Sequence, residues 1–344
     1  MLLALAVASL QPSALSRGRS HSPGRHAMCV TDGIVRNQAL VFIKPSANTE
    51  KTRDLVEASL ARAKIQVVST SSLSAEAIDK RGVIDKHYYS IASKATLGTA
   101  ETLPVDEAAF AAFFGTEYKD AKAGGHVLNA MEACAHLGCD GGELEAHWEA
   151  AAARGLRCKL GGGFYVGRLD ADLTGAAEAC YVFNGFFMKM RSEYTKPGSS
   201  VQLYSVVWDA AELSWASFRG EIIGATIPSE ATPTSIRGSI LERWEVLGLP
   251  AEPYAGDNGV HASAGPFEGL AERVNWLGGT VADDAFGAAL LGEAGMSEAA
   301  IAEWMVDPQV ALAEGRHGSL FDALEDLDAE PCLAMCAQLS RLSA

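Results

Sequence analysis

The run Ala39-Leu40-Val41-Phe42-Ile43, which stops at Lys44-Pro45, constrains the fold of this chain more than any other segment. A short apolar run of β-forming residues predicts a central strand, and the proline ends it because proline has no N–H for the ladder. Thr49 is a suitable N-cap for a helix to about residue 64, and residues 65–69 then alternate as a second strand.

The same alternation of patterns returns later in the chain. Residues 201–208 predict a strand, and Asp209 with Glu212 forms a capping-box pattern for a helix that ends before Gly220. Pro266 opens a further helix with apolar residues at helical spacing. The order of strand, helix, strand, helices, strand and helix predicts an α+β sandwich of the ferredoxin-like kind.

Two alanine-rich stretches do not belong to this alternation. Residues from about 97 to 181 predict amphipathic helices, and residues 279–344 are again acidic, alanine-rich and helical in pattern. We therefore expect a main domain over residues 37–278, a helical insertion at about 97–181, and a helical C-terminal extension over 279–344.

Charge limits the ligands that the surface can attract. The 344-residue chain is 48% hydrophobic, which is enough for a full core, and its formal net charge is −15. Such a field repels nucleic acids and anionic membranes, so a phosphate ligand needs a local basic cluster. The 7 scattered cysteines do not form a disulfide framework and favour reduced thiols.

The first 30 residues are typical of a targeting leader. An apolar run at 1–10 is too short to span a bilayer and is followed by a basic, serine-rich segment. This arrangement resembles the bipartite leaders of proteins imported into complex algal plastids. A disordered N-terminus is the alternative, and without a leader the expected compartment is the cytoplasm. No later segment is apolar for long enough to be a membrane span.

The strongest functional signal is Asn258-Gly259-Val260-His261-Ala262-Ser263. It places an imidazole between an amide and a hydroxyl, with Arg237 upstream and Glu272 downstream. A carboxylate on one ring nitrogen leaves the other free to attack a phosphorus atom and stabilises the charged product. Transfer through a phosphohistidine requires this set of side chains, together with cations that hold the transferred group.

These residues resemble the nucleoside diphosphate kinase family. The family's N-x-x-H-x-S, I-R-G, I-K-P, H-Y and G-x-T-x-P motifs match runs at residues 258–263, 236–238, 43–45, 87–88 and 224–228. The resemblance implies transfer of the γ-phosphate of ATP or another triphosphate to a nucleoside diphosphate. It also implies a fold of that family's type and Mg²⁺ bound through the nucleotide phosphates.

The roles that the resemblance implies fall into two groups. The catalytic group is His261 as nucleophile, Glu272 on its ring, Ser263 on the transferring phosphoryl, and Lys44 on the terminal phosphate. The nucleotide-binding group is the set of residues Lys44, Tyr88, Lys94, Arg219, Thr226, Arg237 and Asn258. No metal-ligand set of the protein's own is expected.

Some features depart from the family pattern. Lys94 stands where an arginine is usual, and Arg219 lies one residue from the expected position. The alternative function is therefore a catalytically weak or inactive nucleotide-binding or scaffold module with the same fold. The added helices suggest docking to a larger assembly, and a homo-oligomer is also open.

Overall fold

The computed structural model describes residues 30–31, 34–312 and 316–342. The leader predicted at 1–30 lies outside these ranges except for residue 30, so the plastid assignment stays a prediction. No helix in the described part of the chain is long and apolar enough to cross a membrane. The six cysteines in this part are free thiols.

Four antiparallel strands form the sheet that carries the candidate site, here called the site sheet. Their order across the sheet is Val260–Ala262, Asn37–Ile43, Ser200–Trp208 and Gln66–Ser74. Asn37–Ile43 pairs on both edges, and all of its residues except Gln38 are buried. The predicted central strand is confirmed.

Alternate residues of the central strand point to two different cores. Val41 and Ile43 pack on one face beneath the helices Glu50–Arg62 and Ile236–Leu247. Leu40 and Phe42 pack on the other face. There they lie among helices Ala75–Arg81, Val83–His87 and Pro266–Leu277. Both faces of the sheet are therefore covered, as a fully apolar strand requires.

The predicted cap at Thr49 is present, but the capping box predicted at Asp209 and Glu212 is not. The Thr49 side chain accepts a hydrogen bond from the Thr52 amide at 3.2 Å, and the helix spans Glu50–Arg62. Asp209 Oδ1 instead accepts from the Ala211 amide in a turn, Ser214 caps the short helix Trp215–Ser217, and the next helical segment continues through Gly220. Shorter helical segments complete this part of the chain: Pro45–Ala47, Tyr89–Ala92, Ser93–Leu97, Phe187–Thr195, Trp215–Ser217, Phe218–Ile223 and Pro228–Glu230.

The inserted segment is not only helical, which corrects the sequence prediction. It contains a second four-stranded sheet in the order Val127–Asn129, Cys180–Phe183, Phe164–Leu169 and Arg157–Gly161, with one parallel and two antiparallel pairings. These strands have 3 to 6 residues, too few to show a clear period beside long alanine-rich helices. The helices are Glu107–Phe114, Tyr118–Ala123, Ala130–Leu137, Gly141–Ala153 and Ala171–Thr174.

Asn184 joins the insertion to the rest of the chain. Its side-chain amide donates to the carbonyls of Ile91 and Gly163 at 3.1 and 2.9 Å, and its carbonyl accepts from the Tyr165 amide. Its φ of 46° lies in the left-handed region, which asparagine tolerates better than most residues.

The C-terminal extension is mainly helical and packs directly on the Pro266–Leu277 helix. Phe267 and Leu270 of that helix belong to the same core as Trp304, Cys332 and other extension residues. A two-stranded sheet of Gln309–Ala311 and His317–Ser319 interrupts the helices, and another joins Val30–Thr31 to Ile34–Val35. The extension helices are Ala285–Gly292, Glu298–Trp304, Leu320–Leu324 and Ala329–Leu342. The described part of the chain has a mixed α+β fold, as predicted.

Candidate active site

A cleft of about 530 Å³ opens at the end of the site sheet where the central strand finishes. His261 lines this cleft, and six more of the site residues predicted from the sequence line it as well. This group comprises Lys44, Tyr88, Arg219, Thr226, Arg237 and Asn258. Lys44 and Asn258 lie close to strand ends, and Tyr88 joins the helices Val83–His87 and Tyr89–Ala92. Arg219 belongs to the segment Phe218–Ile223, Thr226 follows it, and Arg237 is in the first turn of the Ile236–Leu247 helix.

His261 and Glu272 form a direct pair beside the cleft. His261 lies opposite Phe42 in the site sheet, and its Nε2 is 2.6 Å from Glu272 Oε1. Glu272 projects from the Pro266–Leu277 helix and is buried. Because an ionised carboxylate only accepts, Nε2 carries the hydrogen, and Nδ1 of a neutral ring keeps its lone pair.

Ser263 has a different position from the one that the resemblance implies. Its hydroxyl is fully buried, donates to Glu272 Oε2 at 2.5 Å, and accepts from the Leu40 amide at 2.9 Å. It does not line the cleft. In this structure the Ser263 hydroxyl contacts the Glu272 carboxylate and the central strand.

His87 is a site residue that the sequence prediction did not include. Its Nδ1 lies 3.4 Å from Glu272 Oε1 and accepts a 3.4 Å hydrogen bond from Trp276 Nε1. Its ring meets that of His261 edge to face at 4.6 Å between centroids. Burial, with His261 as a smaller cause, lowers the pKa of His87 to about 3, so this ring is neutral. In the sequence, the H-Y motif at residues 87–88 was the signal that could have identified His87 as a site residue.

Electrostatics keep Glu272 ionised although it is buried. Burial alone would raise its pKa, but its contacts with His261 and Ser263 outweigh burial and the pKa lies below the usual range. The neighbouring Glu268 shows the opposite behaviour. Burial, followed by the charge of Glu272, raises the pKa of Glu268 well above the usual range. Glu272 is therefore ionised, whereas Glu268 favours the protonated form.

Lys44 and Arg237 supply positive charge to the cleft. Burial lowers the pKa of Lys44 to about 8, partly offset by Asp257, and Arg237 adds to the lowering. Arg237 is held by its Nη1 bond to the Gly224 carbonyl at 2.8 Å and its Nη2 bond to the Val260 carbonyl at 3.0 Å. Its position is fixed by backbone carbonyls, which leaves its charge available to a ligand.

Arg219 and Lys94 are less available. Arg219 lines the cleft, but its Nη1 contacts Glu325 Oε1 at 2.6 Å and Asp326 Oδ1 at 2.7 Å, both from the C-terminal extension. Lys94 lies in the segment Ser93–Leu97, where its Nζ donates to the Ser90 carbonyl. It is not among the cleft-lining residues.

The side chain of Asn258 has one bonded polar atom and one without a hydrogen-bond partner in the structure. Asn258 is buried, and its side-chain nitrogen donates to the Thr226 carbonyl at 3.0 Å. Its Oδ1 is a buried atom with no hydrogen-bond partner. Buried acceptors are rarely left unpaired, so this oxygen is a site for a ligand donor such as a hydroxyl. Tyr88, whose pKa burial raises to about 12, forms another wall of the cleft.

No protein-family model matches the chain, and no curated protein matches it. Among solved structures it is similar to an NDP kinase from Pyrobaculum aerophilum, with a TM-score of 0.32 and 20% sequence identity. The match covers 70% of this chain and 95% of that chain.

Proposed function

We propose that the protein transfers the γ-phosphate of a nucleoside triphosphate to a nucleoside diphosphate through a phosphohistidine at His261. The observation that carries the proposal is the His261–Glu272 pair at 2.6 Å beside a cleft that also contains Lys44 and Arg237. A nucleophilic imidazole, an ionised carboxylate that fixes its tautomer, and positioned cations are the groups that this chemistry needs.

In each half-reaction one bond to phosphorus forms and one breaks. Nδ1 of His261 attacks the γ-phosphorus, a P–N bond forms, and the P–O bond to the diphosphate breaks with its electron pair on the leaving oxygen. Glu272 holds the Nε2 hydrogen and stabilises the positive charge that develops on the ring. The second nucleoside diphosphate reverses these bonds and carries the phosphoryl group away. No proton has to leave the cleft in either direction.

The polar lining offers partners to the phosphates and to the sugar of a nucleotide. Lys44 and Arg237 would contact the phosphates, Thr226 would donate to them, and the unpaired Asn258 Oδ1 would accept from a sugar hydroxyl. Mg²⁺ would enter through the nucleotide phosphates, because the lining carboxylates Glu268 and Asp326 already bind the Ala264 amide and Arg219. When bound, it would neutralise phosphate charge.

We further propose that the site sheet belongs to the ferredoxin-like type that nucleoside diphosphate kinases use. Two features support this: the first and third strands in chain order lie in the centre, and helices of the two halves cover the sheet. The plastid compartment and an assembly role for the added segments remain predictions.

Labelling with γ-³²P-ATP tests the reaction directly. The purified chain should acquire one labelled phosphoryl group that is lost in acid and retained in alkali, as expected for a phosphoramidate on histidine. Adding GDP or another nucleoside diphosphate should then transfer the label to a nucleoside triphosphate. A wild-type chain that takes no label, or one whose label is stable in acid, would reject the proposal.

The pKa of Lys44 predicts a pH dependence of nucleotide binding. Because it is lowered to about 8, Lys44 is protonated at pH 7 and loses its charge as the pH rises through 8. The Kd for ADP should therefore be nearly constant up to pH 7.5 and rise above pH 8 as Lys44 loses its charge, by at most about tenfold per pH unit. In Lys44→Arg the guanidinium stays charged, and calorimetry should show a flat profile up to pH 9.5. Equal slopes in the two proteins would contradict this assignment.

A second candidate is the catalytically weak nucleotide-binding or scaffold module. The observation that favours it is the pairing of Arg219 with Glu325 and Asp326, which leaves one fewer cation for the transferred group. The position of Lys94 outside the cleft lining favours it as well. This module would bind ADP in calorimetry and acquire no phosphohistidine.

A further inference from the structure

The C-terminal extension places two carboxylates on a cation of the cleft. Residues 325–328, here called the acidic hinge, connect the helices Leu320–Leu324 and Ala329–Leu342. Glu325 and Asp326 both contact Nη1 of Arg219, at 2.6 and 2.7 Å. Asp326 is itself part of the cleft lining. A segment remote in sequence thus places negative charge on a cation that lines the cleft.

The backbone of the acidic hinge is fixed on both sides. The Asp326 amide donates to the Ala264 carbonyl at 3.0 Å, in the loop that follows the His261 strand. Asp328 Oδ1 accepts from the Asn37 side chain and from the Trp215 amide, both at 2.7 Å. These bonds hold the two carboxylates beside Arg219 without requiring any nucleotide.

The carboxylates themselves are partly exposed to solvent. The side chains of Glu325 and Asp326 are 41% and 48% exposed. Rotation about their side-chain bonds is enough to release Arg219 while the backbone stays in place. Exposed ion pairs contribute little free energy, and a diphosphate offers the guanidinium more negative charge in the same geometry. Exchange of carboxylate for phosphate is therefore favourable when a polyphosphate enters.

We propose that Glu325 and Asp326 act as an intramolecular phosphate mimic that occupies Arg219 while the cleft is empty. A nucleoside diphosphate must displace both carboxylates to reach this cation, so the contact is autoinhibitory and weakens nucleotide binding. The inference rests on the proposed nucleotide site, and it adds a regulatory role for the C-terminal extension. It does not depend on whether His261 becomes phosphorylated.

A double variant, Glu325→Gln with Asp326→Asn, tests the mimic. Both replacements keep the shape of the side chain and remove its charge, and asparagine is well suited to the left-handed φ of 61° at position 326. Titration calorimetry with ADP and with inorganic pyrophosphate should show roughly 5- to 30-fold tighter binding than in the wild type, since two competing ion pairs are lost.

Two controls separate the mimic from a general charge effect. Asp322→Asn with Glu330→Gln removes the same charge from exposed positions of the extension and should change the Kd for ADP less than twofold. In an Arg219→Gln background, the hinge substitutions should lose their effect, because the cation for which they compete is gone.

The proposal is overturned by any of three results. These are an unchanged ADP affinity in the hinge variant, an equal gain in the Asp322/Glu330 control, or a gain that persists in Arg219→Gln. Tighter ADP binding without a phosphohistidine would support the mimic and reject only the proposed function. A phosphohistidine without a change in affinity would do the reverse.

Discussion

Replacing His261 with asparagine is expected to abolish phosphoprotein formation, with a loss of at least about 1000-fold in the initial labelling rate. Asparagine keeps a polar group beside Glu272 but has no nucleophilic ring nitrogen. His136→Asn, at an exposed position in the insertion, should retain wild-type labelling. Filter-bound radioactivity after a short incubation with γ-³²P-ATP measures both variants, and circular dichroism checks that each is folded.

The same assay measures how much Glu272 contributes to the rate of phosphoprotein formation. In Glu272→Gln the side chain can still accept from Nε2, but the negative charge that stabilises the phosphorylated ring is lost. We expect labelling to be slower by about 100- to 1000-fold, the size of effect of removing one positioned group that stabilises developing charge. Undiminished labelling in His261→Asn would place the nucleophile at another residue, and undiminished labelling in Glu272→Gln would show that the charge of Glu272 does not support the reaction.

Replacing Asp284 with alanine is expected to lower the free energy of unfolding by about 3–5 kcal/mol. Asp284 accepts from Arg273 Nε at 2.7 Å and from Arg273 Nη2 at 3.0 Å, and both side chains are less than 10% exposed. Its removal leaves a buried guanidinium without a counterion. It also removes the N-cap of the Ala285–Gly292 helix, which Asp284 provides to the Phe286 and Gly287 amides.

An exposed ion pair of the same chain supplies the control. Lys64 and Glu212 are 3.3 Å apart with side chains 77% and 57% exposed, so Glu212→Ala should change the free energy of unfolding by less than about 1 kcal/mol. Urea unfolding followed by tryptophan fluorescence compares the two. Similar midpoints for both variants would show that the Arg273–Asp284 pair does not hold the extension to the Pro266–Leu277 helix.

The elements of the site sheet could be predicted because their signals are local. An apolar run ended by Pro45, a cap at Thr49 and a proline at the start of the Pro266–Leu277 helix each act within a few residues. The strands of the insertion could not be predicted in the same way. The strand Phe164–Leu169 packs closely on the helix Gly141–Ala153, which lies outside the strand's own local sequence pattern. The contact is so close that a Cβ at Gly167 would lie 2.7 Å from the Trp148 ring.

For the site, the spacing of a motif indicates residue types but not the direction of each side chain. The sequence proposed a phosphoryl contact for Ser263, whereas tertiary packing buries this hydroxyl against Glu272 and the central strand. The pairing of Arg219 with Glu325 and Asp326 joins segments about 100 residues apart, beyond the reach of any local pattern. His87 lay within the H-Y motif, but its contact with Glu272 joins segments far apart in the chain and could not be read from that motif.

The connectivity of the site sheet sets an order of events during synthesis. The central strand Asn37–Ile43 leaves the ribosome early, yet its two neighbours, Ser200–Trp208 and Val260–Ala262, follow only after the whole insertion. Since domains fold as they emerge and non-local pairing is slow, an apolar strand must wait while the insertion completes its own sheet. The nascent chain therefore carries an exposed aggregation-prone edge for most of its translation, and it is the late-emerging His261 strand that closes it.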